Sequence, residues 1–199
     1  MKKYIESFFL GILAALGSLV VIEAITTLIQ LFSTNKQQTS SFDLSIYIPI
    51  FLTFSAFSEE FFKYLIIKKK LSVSFRNYKL PIASIFLGLG FASVEILFFY
   101  SNSLLISENL SSIAQISALH IITSALIGHL VLFSFLKKLD PINTLILSIV
   151  PSFSVHLIYN FFELENIGFQ SKIVLLLAFI LILFSRFLIN KMPKNIDLP

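Results

Sequence analysis

Six long apolar stretches separated by short polar ones organise this chain, at about residues 4–32, 46–67, 81–100, 113–136, 141–162 and 171–190. At 1.5 Å per residue, about 20 helical residues cross a hydrocarbon core of about 30 Å, and each stretch is long enough. The first exceeds that length, which predicts a tilt or an extension beyond the bilayer. The separators run from Thr34 to Ser41, Lys68 to Lys79, Ser101 to Ser112, Lys137 to Pro141 and Glu163 to Gly168. Lys137-Lys138-Leu139-Asp140-Pro141 reads as a tight turn, with Pro141 suited to the first turn of a helix. No connection has room for a soluble domain. The pattern therefore predicts one all-α integral membrane domain over residues 1–199, a polytopic bundle of about six spans, with function inside the bundle.

Charge gives the bundle a direction. With the N-terminus on the cytoplasmic side, that side holds Lys2, Lys3, Lys68, Lys69, Lys70, Arg76, Lys79, Lys137, Lys138, Arg186, Lys191 and Lys194. The outer connections hold Lys36 and Lys172. This bias predicts that both termini are cytoplasmic. Met1-Lys2-Lys3 precedes an apolar run without a clear small-residue cleavage site, so the first span reads as retained rather than as a signal peptide.

Composition narrows the class. The chain is 56% hydrophobic and 13% charged, with mean hydropathy +0.89, far more apolar than a soluble domain. The absence of cysteine excludes disulfides, thiolate metal sites and a thiol nucleophile. The net charge of +4 sits at the ends of apolar segments, so it points to the bilayer and away from nucleic acid. Richness in Phe, Ile, Leu, Lys and Asn suits a bacterial plasma-membrane protein.

Within the spans, the titratable residues are Glu23, Glu59, Glu60, Lys63, Glu95, His120, His129 and His156. An ionised group at the bilayer centre costs about 2.5–3.5 kcal/mol on insertion scales, so Glu59-Glu60-Phe61-Phe62-Lys63 needs a reason. Lys63 lies i+4 from Glu59 and i+3 from Glu60, within reach of either carboxylate. The two carboxylates diverge by about 100° around the axis, which leaves one free to face a cavity and the other a neighbouring helix. A structural ion pair would explain the motif as well.

Gly88, Ala92 and Glu95 share a face of the third stretch, so a strip of small residues leads to an acid; close helix packing accounts for the glycines. His120 and His129 fall on opposite faces of the fourth stretch, with His120 the functional candidate and His129 the structural one. His156 and Asn160 share a face of the fifth. An imidazole can act as base or ligand and an amide can hold an oxyanion, or the two can simply bridge helices. Glu23, toward the outer end of the first stretch, reads as interfacial. Asp43, Asp140 and Asp197 lie in connections or tails, which leaves Ser/His/Asp catalysis little support. Acids and histidines from four stretches can meet at one depth, in the middle to outer half of the bilayer.

Taken in order, these segments resemble the PrsW family of intramembrane proteases, which looks like part of a superfamily with type II CAAX prenyl proteases and bacteriocin-processing or immunity proteins. The marks are Glu59-Glu60-Phe61-Phe62-Lys63, Gly90-Phe91-Ala92-Ser93-Val94-Glu95, His120 through Gly128, and His156 through Asn160. They cover residues of about 55–162, within a protease-like core of about 45–162. Ile96 departs from the pattern, which often has Asn there. The first and last stretches carry no motif.

The resemblance implies hydrolysis of a peptide bond at membrane depth in a membrane-anchored protein or peptide. A single-pass anti-sigma factor cut on its outer side is one such substrate. It implies Glu59 as the base that activates water, Glu60 as its partner and Lys63 as supporting charge. His120 and His156 would position water or carbonyl, or ligate a metal, and Asn160 would stabilise the oxyanion. Glu95 takes the place of a histidine in the CAAX branch. Two chemistries stay open: a divalent metal such as zinc, with His120, His156 and Glu95 as candidate ligands, or a metal-free Glu/His site. Two other classes also remain, a small proton-coupled transporter and a non-catalytic immunity or binding protein with the same fold.

Overall fold

The computed structural model describes residues 1–34, 44–75, 79–102, 109–165 and 168–191. The regular structure of these residues is helical. Six long helices follow one another: α1 (Lys2–Thr34), α2 (Leu44–Ile66), α3 (Lys79–Asn102), α4 (Asn109–Leu136), α5 (Pro141–Leu164) and α6 (Gly168–Asn190). Each coincides with a predicted stretch and starts or ends within a few residues of it. Arg76, Lys36, Lys194, Asp43, Asp197, residues 35–41 of the first separator and residues 103–108 of the third lie outside the described residues.

Five helices, α1, α3, α4, α5 and α6, are long and apolar enough to cross a membrane. α2 has 23 residues but carries Glu59, Glu60 and Lys63, all of them buried. The chain is a multi-pass helical membrane protein, and α2, which falls outside those five, packs into the bundle with its charges turned inward. Large apolar side chains face outward instead, among them Leu13, Leu97, Ile142, Phe169, Leu176 and Phe184. In lipid such a surface has no penalty, while small and polar groups such as Ser7, Ala14, Ser84 and Ser152 join the large apolar side chains of the interior.

α3 sits between α1 and α4, with which it makes its most extensive contacts. Glycine permits this closeness: a Cβ at Gly90 would run into the backbone carbonyl of Phe8 on α1, and one at Gly88 into the His120 backbone on α4. At its lysine-rich end α2 continues as one π turn, Ile67–Leu71, then a short helical turn, Ser72–Ser74. Ile67 and Leu71 pack there with Tyr64, Leu80, Leu87, Ile127 and Val131. The turn before α5 follows the expected pattern. Asp140 caps the helix by accepting from the N–H groups of Ile142 at 3.0 Å and Asn143 at 2.9 Å, with Pro141 in the first turn.

Candidate active site

Four helices bring polar groups to one buried centre. From α2 comes Lys63, fully enclosed, and its three ammonium protons have three partners. It donates to Glu60 Oε1 at 2.6 Å, to His120 Nδ1 at 2.8 Å and to Thr123 Oγ1 at 3.1 Å. The Phe91 ring of α3 lies against it, 4.5 Å from Nζ to the ring centroid. A cation in apolar surroundings is tolerable only when paired and hydrogen-bonded, and Lys63 meets both conditions.

The ammonium determines the protonation pattern around it. Having donors only, it requires His120 Nδ1 to accept. The His120 proton then sits on Nε2, which donates to Glu95 on α3. Glu60 Oε1 also accepts from His156 Nδ1 of α5 at 2.7 Å. Glu95, His120, Lys63, Glu60 and His156 thus form one unbroken polar chain across α3, α4, α2 and α5. The His120 and His156 rings are edge to face, with centroids 5.4 Å apart, and the Phe91 ring lies 4.7 Å from that of His120.

Glu59 stands apart from this chain. Ser55, one turn earlier on α2, donates to its Oε1 at 2.9 Å. Its Oε2 is buried without a hydrogen-bond partner among the described residues. That oxygen lies 3.7 Å from His156 Nε2, beyond hydrogen-bonding distance. His156 Nδ1 donates to Glu60, so when the ring is neutral Nε2 carries a lone pair toward Glu59 Oε2, across a gap that a water or a metal ion can bridge.

The donor set fits a divalent metal. Glu59, His120 and His156 each present one ligand atom within 4.8 Å of the others. Two donors at about 2.0–2.1 Å from a tetrahedral zinc lie about 3.4 Å apart, close to the 3.7 Å between Glu59 Oε2 and His156 Nε2. His120 would join by giving up either Lys63 at Nδ1 or Glu95 at Nε2. The expected carboxylate ligand, Glu95, is not in this triplet. It stands behind His120 as its hydrogen-bond partner, with its side chain 41% exposed, and Glu59 is the carboxylate within reach of both imidazoles.

The remaining candidates separate cleanly. Asn160 lies one turn beyond His156 on α5, half-buried, and makes no hydrogen bond to the cluster. His129 is buried on the far side of α4, with Nδ1 bonded to the Ala125 carbonyl at 2.8 Å. Glu23 is exposed on α1. Ser55, Phe91 and Thr123 are supporting residues to which the sequence reading assigns no role. Spacing offers a signal for two of them, because Ser55 is i−4 to Glu59 and Thr123 is i+3 to His120. Phe91 lies inside a motif, yet nothing in its spacing points to Lys63.

Comparison with known proteins adds one match. The profile of the PrsW family intramembrane metalloproteases matches residues 1–185, taking in α1 and most of α6 as well as the motif-bearing helices. No match was found among curated proteins or among solved structures.

Proposed function

Because the chain belongs to the PrsW family of intramembrane metalloproteases, and is thus a membrane protease in its general class, we propose that it hydrolyses a peptide bond of a membrane-anchored substrate at the Glu59–His156 gap. A single-pass protein cleaved at its outer side, such as an anti-sigma factor in a bacterial plasma membrane, suits the depth of that gap. The observation that carries this reading is the unpartnered Glu59 Oε2 facing His156 Nε2 at 3.7 Å.

The two carboxylates have different tasks. Glu60 Oε1 is committed to Lys63 and His156, so Glu60 balances charge and fixes the His156 ring. Both glutamates keep an unpartnered buried Oε2, but that of Glu59 faces His156 Nε2, and Ser55 holds the other oxygen of Glu59 so that its Oε2 stays aimed at the gap. A water there hydrogen-bonds to Glu59, which takes its proton as the oxygen attacks the substrate carbonyl. The protonated Glu59 then gives that proton to the amine nitrogen as the C–N bond breaks, while His156 Nε2 positions the water by accepting its other hydrogen bond. Asn160 is the candidate donor to the oxyanion. If a divalent metal is bound, Glu59, His156 and one nitrogen of His120 would hold it, and it would supply a Lewis acid and a more acidic water.

The test is cleavage of a tagged single-pass protein co-expressed with the full chain. Glu59→Gln keeps the shape and the Ser55 contact but removes the base, and should lower cleavage roughly 10²–10⁴-fold. His156→Ala should do the same. Unchanged cleavage by either variant, at equal membrane abundance, would refute the assignment.

A further inference from the structure

On the face of α4 turned away from His120, a groove of about 420 Å³ opens between α3, α4 and α6. Ile85, Ile122, Phe179 and Ile182 are among its walls, and His129 and Arg186 are among its polar groups. It is separate from the Glu/His centre.

The placement of charge along this groove is directional. α4 and α6 both run toward the lysine-rich side. Arg186 is one turn from the end of α6 at Asn190. Phe179 lies about 10 Å deeper along the same helix, at 1.5 Å per residue. A cation therefore marks the rim, and apolar walls lead from it toward the bilayer midplane. One leaflet contributes about 15 Å of hydrocarbon, so the groove follows the course of a lipid in the lysine-rich leaflet.

A single cation at the rim of an apolar groove complements a phospholipid, which joins one anionic head to apolar tails. A flexible acyl chain can follow its length. His129 is already bonded to the Ala125 carbonyl, which leaves Arg186 as the groove's cation.

We propose that this groove is a binding site for one anionic glycerophospholipid of the lysine-rich leaflet, with an acyl chain against Ile122 and Ile182 and the phosphate on Arg186. Basic groups between spanning helices on this side recognise such headgroups. The bound lipid braces the helix that carries His120, from its opposite face.

Native mass spectrometry of the purified full chain, exchanged into neutral detergent with equal phosphatidylglycerol and phosphatidylcholine, tests this. The parent should retain phosphatidylglycerol at about fivefold higher occupancy, the ratio expected from about 1 kcal/mol per basic residue. Arg186→Ala should abolish the preference and Arg186→Lys should keep it. Ile182→Trp, which fills the groove, should remove the retained lipid. Equal retention of both lipids by the parent, or unchanged preference in Arg186→Ala, overturns the proposal. So does retention unaffected by Ile182→Trp. Photocrosslinking from position 182 to a single-span peptide instead of lipid would assign the groove to a protein partner and also overturn it.

Discussion

The ammonium of Lys63 lies 2.8 Å from Nδ1 of His120, a residue 57 positions away on another helix. This contact sets the imidazole tautomer and directs the remaining proton to Glu95. It also ties α2 to α4 at the depth where Glu60 ties α2 to α5. Lys63 is thus a positioning residue for both histidines, beyond its role as a local counter-charge.

Removing Lys63 strands a buried carboxylate. Lys63→Met should destabilise the protein by about 3–5 kcal/mol, the usual cost of leaving one member of a buried ion pair. Glu60→Gln in the same chain should recover much of that loss, giving a coupling of about 0.5–3 kcal/mol in the double-mutant cycle. Reversible unfolding in mixed micelles measures both. Additive losses would mean that the pair does not act as a unit.

Glu95 acts through His120. Glu95→Ala should lower cleavage about 10–100-fold, as for removal of the group that orients a functional histidine. Glu95→Gln should retain most activity, because its amide oxygen still accepts from Nε2–H. The ¹⁵N shifts of His120 provide the separate readout: the parent and Glu95→Gln should show the Nε2–H tautomer, and Glu95→Ala a mixture. A single unchanged tautomer in all three would refute the orienting role.

Close packing of α3 against α1 predicts a contrast between two glycines. A Cβ at Gly90 meets the Phe8 backbone carbonyl, whereas one at Gly17 meets the ring of Phe62. Backbone cannot yield as a side chain can, so Gly90→Ala should cost about 1–3 kcal/mol by overpacking and Gly17→Ala less. Thermal unfolding of the two variants compares them directly.

The cap of α5 predicts a pH dependence outside the membrane. The Asn143 backbone N–H, together with the Asn143 side chain and the Ile142 N–H, holds the Asp140 carboxyl below its ordinary value. A carboxyl depressed in the folded state contributes stability that is full above its unfolded pKa of about 3.9 and lost as pH falls through the lower folded value. Asp140→Asn keeps a capping oxygen but cannot titrate. The stability difference between the parent and Asp140→Asn should therefore shift against the parent only in that acidic window. A constant difference from pH 7 down to about pH 3 would contradict the linkage.

Hydropathy alone sets the helical membrane architecture. Twenty apolar residues between polar breaks have one stable form in lipid, a helix that satisfies its own backbone, so α1 and α3–α6 follow from hydropathy alone. The lysine distribution supplied the predicted orientation, and Asp140-Pro141 supplied the start of α5. Local spacing also puts Lys63 within reach of both Glu59 and Glu60, at i+4 and i+3 on the same helix, and the structure selects Glu60. Which of two adjacent glutamates turns an unpartnered oxygen toward His156 Nε2 is a different matter. Glu59 and Glu60 have nearly the same local surroundings, and only the seating of α5 against α2 puts His156 Nδ1 on Glu60 and His156 Nε2 opposite Glu59. Likewise, Glu95 is a plausible ligand by residue type, but the approach of α3 to α4 across Gly88 sets it behind His120. Roles along the chain are local properties of a helix face, whereas a site is made of distances between faces, and those distances are fixed only when the helices pack.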